Sequence, residues 1–335
     1  MLEYKKVVFA GPWRVELQKD TIDEQNIPAG HVLLKKLYSL ISTGTELACL
    51  SGGESWFPLP GVMGYCCIGE IVNKAPDVSD YEIGDKIFCY GSHTEYEILP
   101  VTGIFLKVPE GMDDRYVPLV RMATIAATSV RTSNIEFGDY VLVTGQGLVG
   151  NMAAQLAKIQ GGIVIAADVC QKRLDISEKC GIDYTVNSKE CDLEEEVKRI
   201  TSGKMVSTCI EATGLPAVGA SNLKLLAQNG EIIFLGSPRA PHNVNLTEVL
   251  NHCHLAAFNV TFKGAHEWKY PVNEDAFVKH SLERNSKIMF NFIKNGRINV
   301  SGLVTEIIKP EKCMEAYDNL RNKKDDYMGI VFDWT

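Results

Sequence analysis

The middle of the chain alternates apolar runs with helical patterns. Tyr140–Thr144 and 163–167 are short apolar runs of strand character, and apolar or small residues between Val149 and Ala157 recur at the spacing of one helix face. Further strands are predicted at 206–210, 231–235 and 260–263, and a helix over 217–228. This alternation predicts an α/β fold with a doubly wound parallel sheet, which binds ligands at the carboxyl ends of its strands.

The flanking parts of the chain have a different period. Short alternating strands separated by Gly, Pro and Asp turns are predicted at 31–37, 68–73, 85–90 and 94–99. Beyond residue 264 the pattern predicts a long helix over 273–294, a second helix over 311–320 and a last strand at 329–333. We therefore predict a β-rich, barrel-like domain from residues 1–122 and 265–335, and a dinucleotide-binding domain from residues 123–264.

Composition excludes several classes of partner. The chain has 335 residues, 45% of them hydrophobic and 23% charged, with a net charge of −8. Without a basic run, nucleic acid and acidic membrane surfaces are disfavoured as partners. No apolar stretch reaches the roughly 20 residues that span a bilayer, and the N-terminus has no signal-peptide core. We expect a cytoplasmic protein whose 10 cysteines are reduced thiols.

The most specific motif lies between the first two predicted strands of the middle region. Gly145, Gly147 and Gly150 form a G-x-G-x-x-G that follows a strand and opens a helix, and Asp168 ends the next strand. The glycines permit a tight turn, close approach of the backbone to a pyrophosphate and close packing of helix on strand. Asp168 suits the two ribose hydroxyls and repels a 2′-phosphate, so NAD is the predicted cofactor.

The whole chain resembles the medium-chain dehydrogenase/reductase superfamily, which includes the zinc alcohol dehydrogenases. The resemblance rests on the segments 43–46, 60–69, 81–85 and 137–139 and on the glycine motif. It implies a GroES-like β-rich catalytic domain, a Rossmann cofactor domain and hydride chemistry. It also implies a set of cofactor-binding residues: Gly145, Gly147, Leu148, Val149, Gly150, Asp168, Arg173, Thr213, Gly214, Gly236 and Ser237.

The positions that hold zinc ligands in those relatives carry other residues here. Thr43 replaces the first Cys, Tyr65 replaces the His, and residues 120–122 replace the third ligand; of the structural-zinc cysteines only Cys89 is present. Zinc prefers four N, S or O donors, so we predict no metal site. The alternative is a catalytic zinc site rebuilt with Cys66 or Cys67 as a ligand. The segment 252–254, His-Cys-His, is interpreted as a surface or half-buried turn.

Without zinc, a protein donor and a general base must handle the substrate oxygen. Tyr65 and His266 are the first candidates, followed by Glu46 and His93. Tyr65 would need a cationic neighbour to lower its pKa, and its alternative role is to fill the space left by zinc. Glu46 has a structural hydrogen-bonding role as its alternative, and His93 a solvated loop position. His266 follows the last strand of the cofactor domain, where relatives border the nicotinamide, and imidazole titrates in the range of a general base.

Two branches of the superfamily share local features with this chain. Segments 42–46 and 64–65 resemble the bacteriochlorophyllide dehydrogenase branch, and 264–271 resembles glycoside 3-dehydrogenases. Trp268 and Tyr270 are candidates to stack on a sugar ring, with core packing as the alternative. We predict an NAD-dependent, zinc-independent dehydrogenase of a sugar, glycoside or cyclitol hydroxyl. The alternatives are an NADPH-dependent quinone or enoyl reductase and a non-enzymatic NAD-binding protein. An apolar edge strand at 260–263 predicts a homodimer.

Overall fold

The computed structural model describes residues 1–335. Its strands, in chain order, are β1 (Leu2–Gly11), β2 (Arg14–Ile22), β3 (His31–Leu40), β4 (Gly61–Val62), β5 (Cys67–Lys74), β6 (Lys86–Cys89), β7 (Tyr96–Pro100), β8 (Phe105–Lys107), β9 (Tyr140–Thr144), β10 (Ile163–Asp168), β11 (Tyr184–Asn187), β12 (Val206–Glu211), β13 (Leu226–Phe234), β14 (Thr261–Gly264), β15 (Glu306–Ile308) and β16 (Ile330–Asp333).

Nine α-helices lie between the strands. They are α1 (Thr43–Leu50), α2 (Leu119–Thr132), α3 (Leu148–Gln160), α4 (Gln171–Lys179), α5 (Leu193–Ile200), α6 (Pro216–Asn222), α7 (Leu246–His254), α8 (Leu282–Lys294) and α9 (Cys313–Asn322). Short 3-10 turns occupy Asp114–Tyr116, Leu223–Leu225, Glu267–Lys269 and Pro310–Lys312. None of the helices combines the length and apolar character needed to span a bilayer.

The backbone divides into two compact units. Unit 1 comprises Met1–Arg121, Val272–Lys294 and Leu303–Thr335, and unit 2 comprises Met122–Pro271 and Asn295–Gly302. The domain division at 122/123 and 264/265 stays a prediction; the compact units change at 121/122 and 271/272 and place 295–302 in unit 2.

Unit 2 is built on one six-stranded sheet. Its strand order is β11-β10-β9-β12-β13-β14, and every pairing is parallel. The chain enters the sheet at β9 in the centre and adds β10 and β11 on one side. It then returns to the centre and adds β12, β13 and β14 on the other side, so the strand order reverses between β9 and β12. In such sheets the crevice at the reversal point binds the ligand. The contiguous apolar runs seen in the sequence are buried on both faces, as parallel strands require.

Unit 1 is β-rich. A three-stranded sheet has the order β2-β1-β4, and a seven-stranded sheet runs β15-β16-β3-β5-β6-β8, with β7 paired to β3. Most of these pairings are antiparallel. One core cluster joins residues from both ends of the chain, including Phe9, Ile41, Tyr317 and Phe332. Strands β3 and β5 carry a second cluster around Leu34 and Ile71.

Two predicted helices have different bounds. The predicted helix over 273–294 is wrong for its first part, because α8 begins only at Leu282. Residues 273–281 are largely exposed, with the Phe277 side chain 98% exposed, so they have no face to bury. Asp275 accepts a hydrogen bond from the Phe277 amide instead, at 2.8 Å, and Ser281 Oγ accepts one from the Arg284 amide at the start of α8.

The predicted helix over 217–228 is also wrong at its end. Helix α6 stops at Asn222, and Leu226 already belongs to β13, paired with Val206 of β12. The pairing register shifts before Thr208, and Asn229 adopts a left-handed backbone conformation with φ of 64°. The Asn-Gly signal therefore marks an irregularity inside a strand rather than the gap between a helix and a strand.

Candidate functional site

The glycine loop after β9 fits a dinucleotide pyrophosphate. Gly145 has φ of +89°, a conformation that side chains rarely adopt, and a Cβ on Gly150 would fall on the carbonyl oxygen of Gly145. A Cβ on Gly147 would meet nothing within 4 Å. Protein packing thus requires the first and third glycines, whereas the second leaves open space in front of the backbone. Gly147 caps α3, whose first amides, from Leu148 and Val149 onward, have no acceptor within the helix and could bind an anion.

The carboxylate of Asp168 is tied to the same loop. Its Oδ2 accepts a hydrogen bond from the Gln146 amide at 2.6 Å, and its Oδ1 accepts one from the Cys170 amide at 2.9 Å. Arg173 Nη1 lies 3.9 Å from Oδ2. Each carboxylate oxygen has a further lone pair, so the group can still accept from ribose hydroxyls. Asp168 therefore positions the loop as well as offering acceptors.

The loops after β12 and β13 meet each other. A Cβ on Gly236 would fall on the backbone of Gly214, and one on Gly214 would lie 2.6 Å from the Ser237 carbonyl oxygen. Glu211, which the sequence interpretation missed, holds the first loop. Its carboxylate accepts from the Thr213 amide at 2.7 Å, the Thr213 hydroxyl, and the Gly214 amide at 3.2 Å.

Burial raises the pKa of Glu211, and its bonds to Thr213 oppose that rise. The signal for Glu211 was available: it directly follows the predicted strand at 206–210, which has no charged residue, and it stands at the carboxyl end where such sheets bind ligands. Taken together, the residues of these loops fit a nicotinamide dinucleotide.

Tyr65 lies in unit 1 with its hydroxyl hydrogen-bonded to Ser42 Oγ. Burial raises the pKa of Tyr65, the charges of Cys66 and Glu46 add to the rise, and the hydroxyls of Ser42 and Thr45 oppose it. The direction is opposite to the lowered pKa that a tyrosinate base would require. Tyr65 therefore stays protonated at neutral pH and acts as a hydrogen-bond donor.

Glu46 and His93 belong to a buried hydrogen-bonded set that we name the Glu46 network. Glu46 Oε1 accepts from the Ser42 amide at 2.8 Å, and Oε2 accepts from Tyr317 Oη at 2.5 Å and lies 3.1 Å from His93 Nε2. The network comprises Ser39, Ser42, Glu46, His93, Tyr317 and Trp334.

Ser39 Oγ completes the network. His93 Nδ1 lies 2.8 Å from Ser39 Oγ, which also accepts from Trp334 Nε1 at 2.9 Å. The interpretation of His93 as a solvated loop residue is wrong, because its side chain is fully buried. Burial, followed by the charge of Glu46 and the hydrogen bond to it, raises the pKa of Tyr317. The structure thus brings Tyr65, Glu46 and His93 together through Ser42.

A guanidinium lies beside the Tyr65 ring. Arg121 is 5% exposed, and its Cζ is 3.6 Å from the ring centroid of Tyr90 and 5.4 Å from that of Tyr65. These are cation–π distances. Arg121 occupies the segment where the zinc-binding relatives carry their third ligand, and the sequence interpretation gave it no role.

The residues of this region do not fit a zinc ion. Thr43 Oγ1 donates to the carbonyl oxygen of Met328 at 3.1 Å, Tyr65 is bonded to Ser42, and Arg121 brings a positive charge. No group of three or more His, Cys, Asp or Glu side chains is arranged to hold a metal. The segment 252–254 forms the end of α7 rather than a turn, with His252 Nδ1 2.9 Å from the Glu248 carbonyl oxygen.

His266 lies in unit 2, after β14. Its side chain is exposed, and it precedes the 3-10 turn Glu267–Lys269. Trp268 is 55% exposed, so core packing does not account for it, whereas Tyr270 is half-buried. The structure therefore leaves these side chains accessible to a ligand, and their catalytic and binding roles stay predictions.

Comparison with known proteins identifies the family. Residues 149–274 match the family model described as "Zinc-binding dehydrogenase". D-guloside 3-dehydrogenase of Escherichia coli K12 is 28% identical over 280 residues, which cover 81% of this chain and 77% of that protein. The chain belongs to the medium-chain dehydrogenase/reductase superfamily. The predicted combination of a GroES-like β-rich domain with a Rossmann domain is likewise confirmed.

Solved structures of this superfamily member's fold carry both kinds of cofactor. An alcohol dehydrogenase of E. coli CFT073, complexed with NADH, has a TM-score of 0.81 and 18% identity, covering 99% of both chains. A zinc-binding dehydrogenase of Sinorhizobium meliloti 1021, bound to NADP, has a TM-score of 0.81 and 17% identity, covering 99% of this chain and 100% of its own. The comparisons support an alcohol-type oxidoreductase with a nicotinamide cofactor and leave NAD and NADP undistinguished.

Proposed function

We propose that this medium-chain dehydrogenase/reductase oxidises a secondary hydroxyl of a sugar, glycoside or cyclitol to the ketone, with NAD and without catalytic zinc. The observation that carries the proposal is the pairing of an intact dinucleotide loop with a zinc-ligand region occupied by Tyr65, Ser42 and Arg121. The D-guloside 3-dehydrogenase relative supports the substrate class. Asp168 supports NAD, because its carboxylate would face a 2′-phosphate with like charge.

When bound, a nicotinamide would supply the hydride acceptor at its C4. The chain must stabilise the negative charge that the carbinol oxygen acquires when its proton is removed, before the hydride leaves and the ketone forms. Tyr65 is protonated, and its oxygen lies within hydrogen-bond distance of the Ser42 hydroxyl. When the Ser42 hydroxyl donates to the Tyr65 oxygen, the single phenolic proton is left for the substrate oxygen, as in an oxyanion-stabilising donor. A donor whose orientation is set before the reaction costs little reorganisation during it.

Arg121 keeps that donor in place. Its guanidinium stacks on Tyr90 and lies beside the Tyr65 ring, so it limits rotation of the phenol and adds a permanent positive charge near it. We propose Arg121 as a positioning residue and not as a catalytic one.

The hydroxyl proton requires a base. We propose His266, since Glu46 is fully enclosed by the Ser42 amide, His93 and Tyr317. His266 is exposed and free of that buried network. The change His266→Gln is expected to lower kcat/KM, while NAD affinity is retained. An unchanged kcat/KM would assign the base elsewhere.

The proposal is tested with purified, metal-analysed protein. NAD and NADP are each offered with a panel of glycosides, free sugars, cyclitols and simple alcohols, and reduced cofactor is followed by absorbance. Reduction of NAD by a glycoside or cyclitol, unchanged after chelation, is the expected result. Loss of activity with a removed zinc would overturn the zinc-free mechanism. If no compound of the panel reduced either cofactor, and quinones or enones instead caused NADPH to be consumed, the protein would be a reductase.

The Tyr65 role is tested by Tyr65→Phe. Removing one preorganised donor is expected to lower kcat by roughly 10²–10³-fold, with the dissociation constant for NAD unchanged. Tyr81→Phe is the matched control, because Tyr81 Oη also donates one hydrogen bond in unit 1, to the Phe105 carbonyl oxygen at 2.8 Å. Equal loss in both variants would mean that Tyr65 is structural.

We also propose a homodimer joined through β14. This strand forms one edge of the unit 2 sheet, and Phe262 on it is partly exposed. Unpaired edge strands favour pairing with a second copy. Sedimentation equilibrium is expected to give twice the chain mass, and Phe262→Lys to give the monomer; a monomeric wild-type protein would contradict the proposal.

A further inference from the structure

A second set of reactive groups lies in unit 1, apart from Tyr65 and the Glu46 network. We name it the Lys36 cluster: Lys36, Cys67, Cys89 and Glu97. Cys67 on β5 and Cys89 on β6 are directly opposite each other in the antiparallel ladder, and their Sγ atoms are 3.4 Å apart. A disulfide has an S–S length of about 2.05 Å, so a bond between them requires a movement of little more than an ångström.

A lysine ammonium is buried against this pair. Lys36 is 0% exposed, and its Nζ lies 3.3 Å from Cys67 Sγ and 2.5 Å from Glu97 Oε2. The ammonium group fits beside the sulfur because residue 91 is a glycine. A Cβ on Gly91 would fall on Lys36 Nζ and lie 2.9 Å from Cys67 Sγ. A buried lysine is retained only with anionic partners. One carboxylate is present, and the thiolate of Cys67 is the other anion within reach.

The two sulfurs differ in protonation. Burial alone would raise the pKa of Cys67, but the hydrogen bond from Cys89 and the charge of Lys36 lower it to about 6. The bond to Cys67 and burial raise the pKa of Cys89. At neutral pH the pair is therefore a thiolate beside a thiol, the combination in which one sulfur attacks and the other resolves.

We propose that Cys67 and Cys89 form a peroxide-reactive dithiol that closes to a cross-strand disulfide. In the first step the Cys67 thiolate attacks one oxygen of hydrogen peroxide, the O–O bond breaks, and Cys67 sulfenic acid and hydroxide form. In the second, Cys89 loses its proton and attacks the Cys67 sulfur, the S–O bond breaks, and hydroxide leaves as water. Overall, two thiols and one peroxide give one disulfide and two waters.

Burial selects the oxidant. Cys67 and Cys89 are 0% and 2% exposed, so a small neutral peroxide reaches them more readily than a bulky disulfide does. Cys191 offers the contrast within the chain. It is exposed, but partial burial of its thiol and the charge of Glu196 raise its pKa, so it is accessible and protonated. A bulky thiol reagent is expected to prefer Cys191, and peroxide to prefer Cys67.

The test uses the full chain. The exposed thiols of the native protein are first blocked with N-ethylmaleimide, a small excess of hydrogen peroxide is added, and peptides are mapped after alkylation of the denatured protein. We expect Cys191 to carry maleimide and the peptides of Cys67 and Cys89 to be joined. In Cys89→Ser, dimedone is expected to trap sulfenic acid at Cys67. Absence of the joined peptide, or equal joining of other cysteine pairs, would overturn the proposal.

The pH dependence separates a lysine-activated thiolate from an ordinary one. The rate of bridge formation in the wild-type chain is expected to rise with a midpoint near the Cys67 pKa of about 6. In Lys36→Met/Glu97→Gln, which removes both charges together, the midpoint is expected to move toward about 8.5, the value of a free thiol. A wild-type midpoint near that value would by itself overturn the role of Lys36, whether or not the double variant folds.

Discussion

The glycine loop of unit 2 and the Glu46 network of unit 1 present two ways of building a site. In the loop, the groups available to a ligand are backbone amides. Glycine is required there because a side chain at Gly145 or Gly150 would clash with neighbouring atoms. In the network, side chains from distant parts of the chain bond to one another: Glu46 and Tyr317 are 271 residues apart, and Ser39 and Trp334 are 295 apart. The first type follows from local sequence, whereas the second requires the folded chain.

The difference teaches which kind of site tolerates substitution. The dinucleotide loop is fixed by steric rules that permit few substitutions. The region around Tyr65 instead holds hydroxyls, a buried acid and a guanidinium, whose arrangement depends on their mutual packing. Four substitutions test this contrast, and they are ordered by the size of the expected effect.

The largest effect is expected for Glu46→Ala. The change leaves Tyr317, His93 and the Ser42 amide without their buried acceptor, and each buried donor left unsatisfied costs about 1–3 kcal/mol of unfolding free energy. Urea unfolding measures the loss. Glu16→Ala is the control, because the Glu16 side chain in unit 1 is 43% exposed and surface changes usually stay within about 0.5 kcal/mol. Unchanged stability with abolished turnover would instead make Glu46 a catalytic group.

A smaller effect is expected for Asp168→Ser. Hydrogen bonds to a charged group contribute about 1.5–3 kcal/mol, so NAD affinity should fall by roughly 10–100-fold. NADP affinity should fall less or rise, because the like charge is gone. Titration calorimetry with both cofactors measures the ratio. An unchanged ratio would limit Asp168 to its bonds with the Gln146 and Cys170 amides.

The next test is Gly147→Val, in the loop itself. The backbone of Gly147 has φ of −70°, which valine adopts, and an added Cβ meets no protein atom. Stability should therefore be retained, while a cofactor packed against the new side chain loses about 1–3 kcal/mol, the usual cost of overpacking. Gly11→Val, at another open glycine, is the control. Equal NAD affinity in the two variants would show that the pyrophosphate does not bind at this loop.

The smallest effect is expected for Trp334→Phe. It removes one N–H donor to Ser39 Oγ, which still has His93 as a partner, so the expected loss is about 0.5–1.5 kcal/mol. Trp56→Phe removes a similar donor from an exposed position, where Trp56 Nε1 bonds to Glu54, and should have no measurable effect. Thermal unfolding of the two variants measures the loss of stability in each. A larger loss of stability in Trp56→Phe than in Trp334→Phe would contradict the prediction.

The sequence predicted the parallel sheet and the glycine loop because both depend on residues close together in the chain. The apolar runs of β9 and β10 and the glycines between them determine the local structure without contacts from distant parts of the chain. Helix ends were harder, since Leu226 enters a strand through its pairing with Val206, which no local pattern reveals. At 273–281 the helical pattern had no surface to pack against, so capping by Ser281 fixed the start of α8 instead.

The candidate site in unit 1 could be predicted only in part. Tyr65 and Glu46 stood out because zinc-binding relatives have recognisable residues at those places. The burial of His93 and the direction of the Tyr65 pKa shift could not be predicted, because both depend on neighbours that come from other strands and helices. Lys36 lies within the predicted strand at 31–37, and only its contacts with Cys67 and Glu97 show why it is enclosed.

The long separation of the partners in the Glu46 network has a consequence for biosynthesis. A ribosome translates Ser39, Glu46 and His93 early, but Tyr317 and Trp334 emerge only after all six strands of the unit 2 sheet have been made. The six strands lie within the continuous segment Met122–Pro271, and chains fold progressively during synthesis, so the sheet can assemble while Glu46 still lacks Tyr317. A nascent chain of this protein can therefore form its dinucleotide loop before the Glu46 network is complete.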